Sequence, residues 1–221
     1  MQTAGTSKAT AVVKDRAEDI SFIGTTLGPL FLEDPSTGSA EALFRAFSEL
    51  DVDDAAKSWP FVEAGEACKA LQMMKNALAD GLTDDLTWAF RQLFVGPMPK
   101  LAPPWGSVYT DFEQVIFGAS TLELRQWMRE HGIERHVDGH TPEDHIGEML
   151  LLMAWLATNQ PEDVEEFLRL HLLPWSGHFF EIVVRESPHD FYRGLALLAD
   201  ASLNGIQEVL DIIVEYPHFY R

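Results

Sequence analysis

Apolar positions in this chain recur with the 3.6-residue period of a helix, and no stretch alternates as a strand does. Ala40, Leu43, Phe44, Phe47 and Leu50 fall at i, i+3, i+4, i+7 and i+10, which makes one apolar stripe. Ala67, Leu71, Met74 and Leu78 repeat the pattern and stop before Gly81, a residue suited to the left-handed turn that ends a helix. Thr83 then caps a segment opening on Asp84 and Asp85, whose charges suit the positive end of the helix dipole. That segment predicts helix to Val95, just before Gly96-Pro97. A capping-box pattern from Ser120 to Glu123 starts another helix, which runs to His131. Thr141 as N-cap, Pro142 at N1, and Glu143 and Asp144 behind it predict the next start. The run Met149 to Leu156 that follows is apolar nearly all round, as in a helix at the centre of a bundle. Helices are further expected from Pro161 to Leu172, from Pro174 to Glu186, and from Ser187-Pro188 onward with Ser187 and Asp190 as a cap pair. Ile206, Val209, Leu210 and Ile213 continue an apolar face toward the C-terminal end. Residues 1–17, rich in Ala, Thr and Ser and without a continuous apolar run, read as a flexible, frayed tail and not a secretory signal. The expected architecture is a tail over 1–17 and a single all-α domain over 18–221, a helical bundle with irregular Pro/Gly-rich loops in its middle.

Composition changes this picture in one respect. Hydrophobic residues make up 46% of the chain and charged ones 23%, as in ordinary globular domains, but 16 Lys and Arg face 35 Asp and Glu, a formal net charge of −19. Phosphate backbones and anionic membrane surfaces repel such a chain, which argues against nucleic acid and favours basic partners. The same charge also serves solubility. No apolar run reaches the length of a membrane span, so no stable membrane insertion is expected. Cys68 stands alone, which excludes an internal disulfide and a cysteine-based zinc site and fits a reducing compartment.

Little in the sequence points to catalysis. Four of the eight histidines lie between His131 and His145, with His136 and His140 in H-x3-H spacing and His145 three residues before Glu148. Metal sites use such spacing, yet His136 and His140 flank Asp138-Gly139 in an expected loop, where helical spacing loses its meaning. No metal and no cofactor is expected. There is no G-x-S-x-G elbow, no phosphate-cradling glycine loop, and no His beside Cys68 in the sequence, so the chain is not expected to be an enzyme.

Two other features stand out. Gly96 to Ser107 carries four prolines and two glycines, and it sets Trp105 and Tyr109 at or near a rigid loop that no helix tolerates. From His136 to Leu168 there are eight acidic residues and no Lys or Arg. An apolar, proline-braced groove beside carboxylates suits a peptide carrying arginines, because a guanidinium pairs bidentately with a carboxylate. The alternative is that Trp105 plugs the core and the acids form a solvated face.

Several blocks carry a family resemblance: LFVGP (93–97), APPWGSVYTD (102–111), FGASTLELRQWMREHGI (117–133), PEDHIGEMLLLMAWLA (142–157), HLLPWSGHFFEI (171–182) and FYRGLALLA (191–199). Together they resemble the TorD/DmsD/NarJ family of maturation chaperones for molybdopterin-dependent redox enzymes, and the PPWGSVY and RQWMRE blocks look closest to the DmsD branch. The resemblance is dense from Leu93 to Ala199 and thin before it. It implies an all-helical cytoplasmic chaperone without turnover. The implied partner is the twin-arginine signal peptide of a molybdoenzyme catalytic subunit of the DMSO reductase type, bound before Tat export, with Tat translocase components as further candidate partners. By the same resemblance, the peptide-binding residues are Leu93, Phe94, Pro104, Trp105, Tyr109, Gly118, Pro142, Asp144 and His145. Met98 and Thr141 depart from the branch's pattern, which leaves the client open. A TorD- or NarJ-like chaperone for another molybdoenzyme, or a helical adaptor that ignores leaders, are the competing readings.

Overall fold

The structure, a computed structural model, describes residues 3–134 and 142–221. Its helices, in chain order, are α1 (Thr3–Asp15), α2 (Ala17–Leu32), α3 (Gly38–Glu49), α4 (Val52–Ser58), α5 (Ala64–Asn76), α6 (Asp84–Phe90), α7 (Ser107–Thr110), α8 (Ala119–Glu130), α9 (Ile146–Asn159), α10 (Val164–Phe167), α11 (Leu173–Glu186) and α12 (Asp190–Val209). Single π turns, Arg91–Val95 and Leu168–Leu172, extend α6 and join α10 to α11. Among the described residues there is no strand, and an isolated antiparallel bridge joins Trp105 to His145. No described helix is long and apolar enough to cross a membrane.

The bundle is organised by α2 lying close along α9, and by α12 packed on α5 and α11. Small residues permit the first contact. A Cβ at Gly24 would fall on the Leu150 carbonyl and one at Gly147 on the Leu32 side chain, so the two backbones approach as larger residues would forbid. Inside, Phe31, Phe90, Phe94, Phe179, Phe180 and Tyr192 form a chain of ring contacts with centroids 5.4–6.2 Å apart, mostly edge-on.

Several helix starts differ from expectation. The segment read as a tail holds α1, whose Ala9 and Val13 are buried against its neighbours. α9 starts at Ile146, not after Thr141, which lies outside the described residues; its cap is His145, whose Nδ1 accepts the Gly147 N–H at 3.1 Å. Pro142, Glu143 and Asp144 form a turn instead, because Gly106 N–H donates to the Asp144 carbonyl (3.2 Å) and Ile146 N–H to Pro104 (2.8 Å). Backbone groups engaged across the chain in this way cannot also begin a helix. α12 likewise takes His189 as its cap in place of Ser187, with the Phe191 N–H donating to Nδ1 at 3.3 Å. α8 begins at Ala119 with Gly118 as its N-cap, two residues before the expected cap Ser120, and a Cβ at Gly118 would fall on Asp111 Oδ2. The helical face ends at Val209, and Ile212 to Arg221 run as an irregular strap with Ile213 exposed. The Thr83 cap holds as expected, accepting the Leu86 N–H at 3.3 Å.

Candidate functional site

Asp144 is the centre of a polar junction between the proline loop, α8 and the turn before α9. Its side chain is 3% exposed, and its Oδ2 accepts the Ser107 N–H at 2.8 Å. The other oxygen, Oδ1, has no hydrogen-bond partner. Desolvation pushes the carboxyl pKa up, opposed by the Ser107 N–H and by the nearby hydroxyls of Ser107 and Thr121. Both hydroxyls face the carboxyl, and Ser107 Oγ, Thr121 Oγ1 and Asp111 Oδ2 are, like Asp144 Oδ1, buried without a fully formed hydrogen bond. Four such oxygens in one junction is unusual, since each buried polar group without a partner costs about 1–3 kcal/mol. The neighbouring acid, Glu143, is instead held by Arg125 in a fork of 2.9 and 2.7 Å that ties the turn to α8.

The expected binding residues divide into two groups. Pro104, Trp105, Pro142, Asp144 and His145 are brought together by the Trp105–His145 bridge, with the indole edge-on to the imidazole at 5.8 Å and Lys100 Nζ 5.2 Å above the indole. The buried indole N–H of Trp105 has no partner. Gly118 adjoins this group through Asp111 and Ser107.

Leu93 and Phe94 do not reach it; they are 0% and 3% exposed in the aromatic core. Tyr109 is equally buried: its hydroxyl donates to the Pro103 carbonyl at 2.7 Å, its ring stacks on Trp175 at 6.1 Å, and burial pushes its pKa far up. These three residues offer a ligand no surface; they hold the proline loop on the core.

Sequence reasoning missed what encloses the junction. A cavity of about 620 Å3 borders Asp144 and is walled by α8, by the turn into α11 and by the strap, with Glu123, His171, Trp175, Glu215 and Tyr216 among its lining. His171 and Trp175 sit in the HLLPW block, a signal the resemblance already contained. The strap gave none, because its place depends on distant contacts. Tyr220 N–H donates to the Tyr109 carbonyl (2.9 Å), Phe219 stacks on His178 at 4.1 Å, and the Arg221 side chain reaches the Lys100 carbonyl (2.7 Å). Beside it, residues 112–117 expose Phe112, Val115, Ile116 and Phe117, with Phe112 edge-on to Tyr220 at 5.6 Å. Among the described residues no group of His, Cys, Asp and Glu is placed to hold a metal ion, and His136 and His140 lie outside them.

The fold and this junction define an all-helical protein whose acidic cavity sits over an aromatic core. A family model described as nitrate reductase delta subunit matches residues 63–181. The chain is 38% identical over 205 residues to the Tat proofreading chaperone DmsD of Salmonella typhimurium, covering 92% of this chain and 97% of that protein. It is 36% identical over 209 residues to the probable Tat proofreading chaperone DmsD of Haemophilus influenzae, covering 95% and 100% respectively. It is 28% identical over 200 residues to the chaperone protein YcdY of Escherichia coli, covering 87% and 96%. The chain belongs to the nitrate reductase delta subunit family, the TorD/NarJ/DmsD group of redox-enzyme maturation chaperones, and is a chaperone, not a catalyst.

Proposed function

We propose that this protein is a cytoplasmic chaperone that binds the twin-arginine signal peptide of a molybdopterin oxidoreductase catalytic subunit, of the DMSO reductase type, and holds it while the subunit matures before Tat export. The observation that carries this reading is the unpaired, desolvated oxygen of Asp144 at an acidic cavity. A carboxylate so placed is completed by a guanidinium, which supplies both charge and N–H donors. Near-full-length similarity to Tat proofreading chaperones supports the same reading. Asp144 pairs with a leader arginine, and Pro104, Trp105, Pro142 and His145 hold the carboxylate in place. The apolar stretch of the leader docks on the exposed 112–117 loop, since Leu93 and Phe94 are closed to it. Tat translocase components are further proposed partners.

Calorimetric titration with a synthetic twin-arginine leader tests this, beside the same peptide with both arginines changed to glutamine. The expected result is saturable binding at about micromolar Kd or tighter, about −8 kcal/mol, that weakens sharply with the glutamine peptide. Equal binding of both peptides removes Asp144 from recognition. No binding of either, with leaders of other molybdoenzymes also silent, leaves the adaptor reading.

A further inference from the structure

The cavity beside Asp144 holds a second unpartnered acceptor. His171 Nε2 is buried without a hydrogen bond, and the ring sits against Trp127 and Phe167 at 5.4 and 6.3 Å. Desolvation, with His131 nearby, brings its pKa down to about 4, so the ring is uncharged at neutral pH. With the ring proton on Nδ1, Nε2 accepts an N–H. Two further carboxylates, Glu123 on α8 and Glu215 on the strap, line the same cavity, and both residues are exposed. Neither forms an ion pair among the described residues. Arg169, a cation among the lining residues, is engaged by Glu165 at 2.9 Å. Trp175 and Tyr216 add aromatic surface.

Such a lining fits a guanidinium better than an ammonium. A guanidinium presents five N–H donors in one plane and weakly hydrated faces that stack on rings; an ammonium is compact and strongly hydrated. Two adjacent arginines start only about 3.8 Å apart along the chain, so side chains of that length can both reach one cavity.

Building on the leader-binding reading, we infer that the cavity recognises the arginine pair in two places. One guanidinium lies on the floor between Asp144 and His171, and its neighbour lies at the rim between Glu123 and Glu215. The strap thereby contributes to specificity, although it is remote in sequence from every other binding residue.

The test is a cycle between rim and peptide. The double variant Glu123→Gln/Glu215→Gln is titrated with the twin-arginine leader and with leaders in which either arginine is glutamine. The variant is expected to bind the twin-arginine leader about three- to tenfold more weakly, the scale of two partly exposed ion pairs. It should match the wild type on one of the two single-arginine leaders. If the variant keeps full affinity while Asp144→Asn weakens binding, the leader reading stands and the rim is overturned. If the wild type binds no leader, that reading fails, and the cavity is probed directly with arginine amide and lysine amide. A shift of the His171 ring resonances with arginine amide alone supports the pocket, and no shift overturns it.

Discussion

Phe31 meets Phe94, Phe179 and Phe180 at centroid distances of 5.9, 6.0 and 5.8 Å, and the chain itself fills every side of that cluster. At the N-terminal end of α9, Asp144 meets one backbone N–H and then stops, with three more unpartnered buried oxygens around it. In the aromatic cluster, apolar burial repays the entropy of ordering the side chains, at roughly 1.5–3 kcal/mol for each large residue. At the junction, burial costs free energy that the chain does not recover on its own. The contrast separates what the sequence spends on folding from what it holds ready for a partner.

Phe94→Ala is the strongest way to break that contrast, because sequence resemblance places Phe94 at the binding surface and the structure places it in the core. Loss of its contacts with Phe31, Phe90 and Tyr192 should cost about 3–5 kcal/mol, read from urea denaturation. The folded fraction should bind the leader within about twofold of wild type, a difference well under 1 kcal/mol. Intact stability with lost binding would put Phe94 back at the surface.

That division also explains how much could be read in advance. The stripes at Ala40–Leu50 and Ala67–Leu78 and the Thr83 cap reappear as α3, α5 and α6, because local periodicity and a local cap decide them. α2 was not legible. Gly24, Gly28 and Pro29 weaken it as a helix, and only its approach to α9 makes those glycines an asset. The start of α9 differs from its sequence expectation for the opposite reason. Thr141 to Asp144 has good cap chemistry, but Pro104 and Gly106, some forty residues earlier in the chain, take the backbone groups a helix would need. At the site, the PEDH and PPWGS blocks are two segments that the fold brings together. Leu93, Phe94 and Tyr109 are adjacent in sequence to that junction yet face inward, which no sequence pattern announces. His171, Glu123 and Glu215 meet only in three dimensions.

A smaller change sharpens the contrast from the other side. Asp144→Asn keeps an oxygen for the Ser107 N–H and removes the buried charge. Because burial raises the Asp144 pKa above 3.8, the folded state holds its proton more tightly than the unfolded chain does. Ionisation therefore lowers stability progressively as pH rises from 3.8 through the folded value. At neutral pH the variant should be as stable as wild type or more so, while leader binding weakens by about 1–3 kcal/mol. Since a guanidinium favours the ionised carboxylate, wild-type affinity should fall at acid pH and that of the variant should not. A variant that loses stability and affinity together would make Asp144 a structural residue.

Asp200 supplies a half-buried control away from the cavity. It lies on α12, accepts the Asn204 amide at 3.2 Å, and is pushed up to about pKa 6 by burial and by the charges of Glu181 and Glu66. Like Asp144, it costs stability as pH rises, here between 3.8 and about 6. Asp200→Asn keeps the contact with Asn204 and should gain about 1 kcal/mol at neutral pH, and nothing below about pH 4. Unlike Asp144, it should leave leader affinity unchanged, because its carboxylate faces α11 and α5 and not the cavity. If the leader binds this variant as weakly as it binds Asp144→Asn, then acidity spread over the whole molecule, and not one unpaired oxygen, is what draws the arginines.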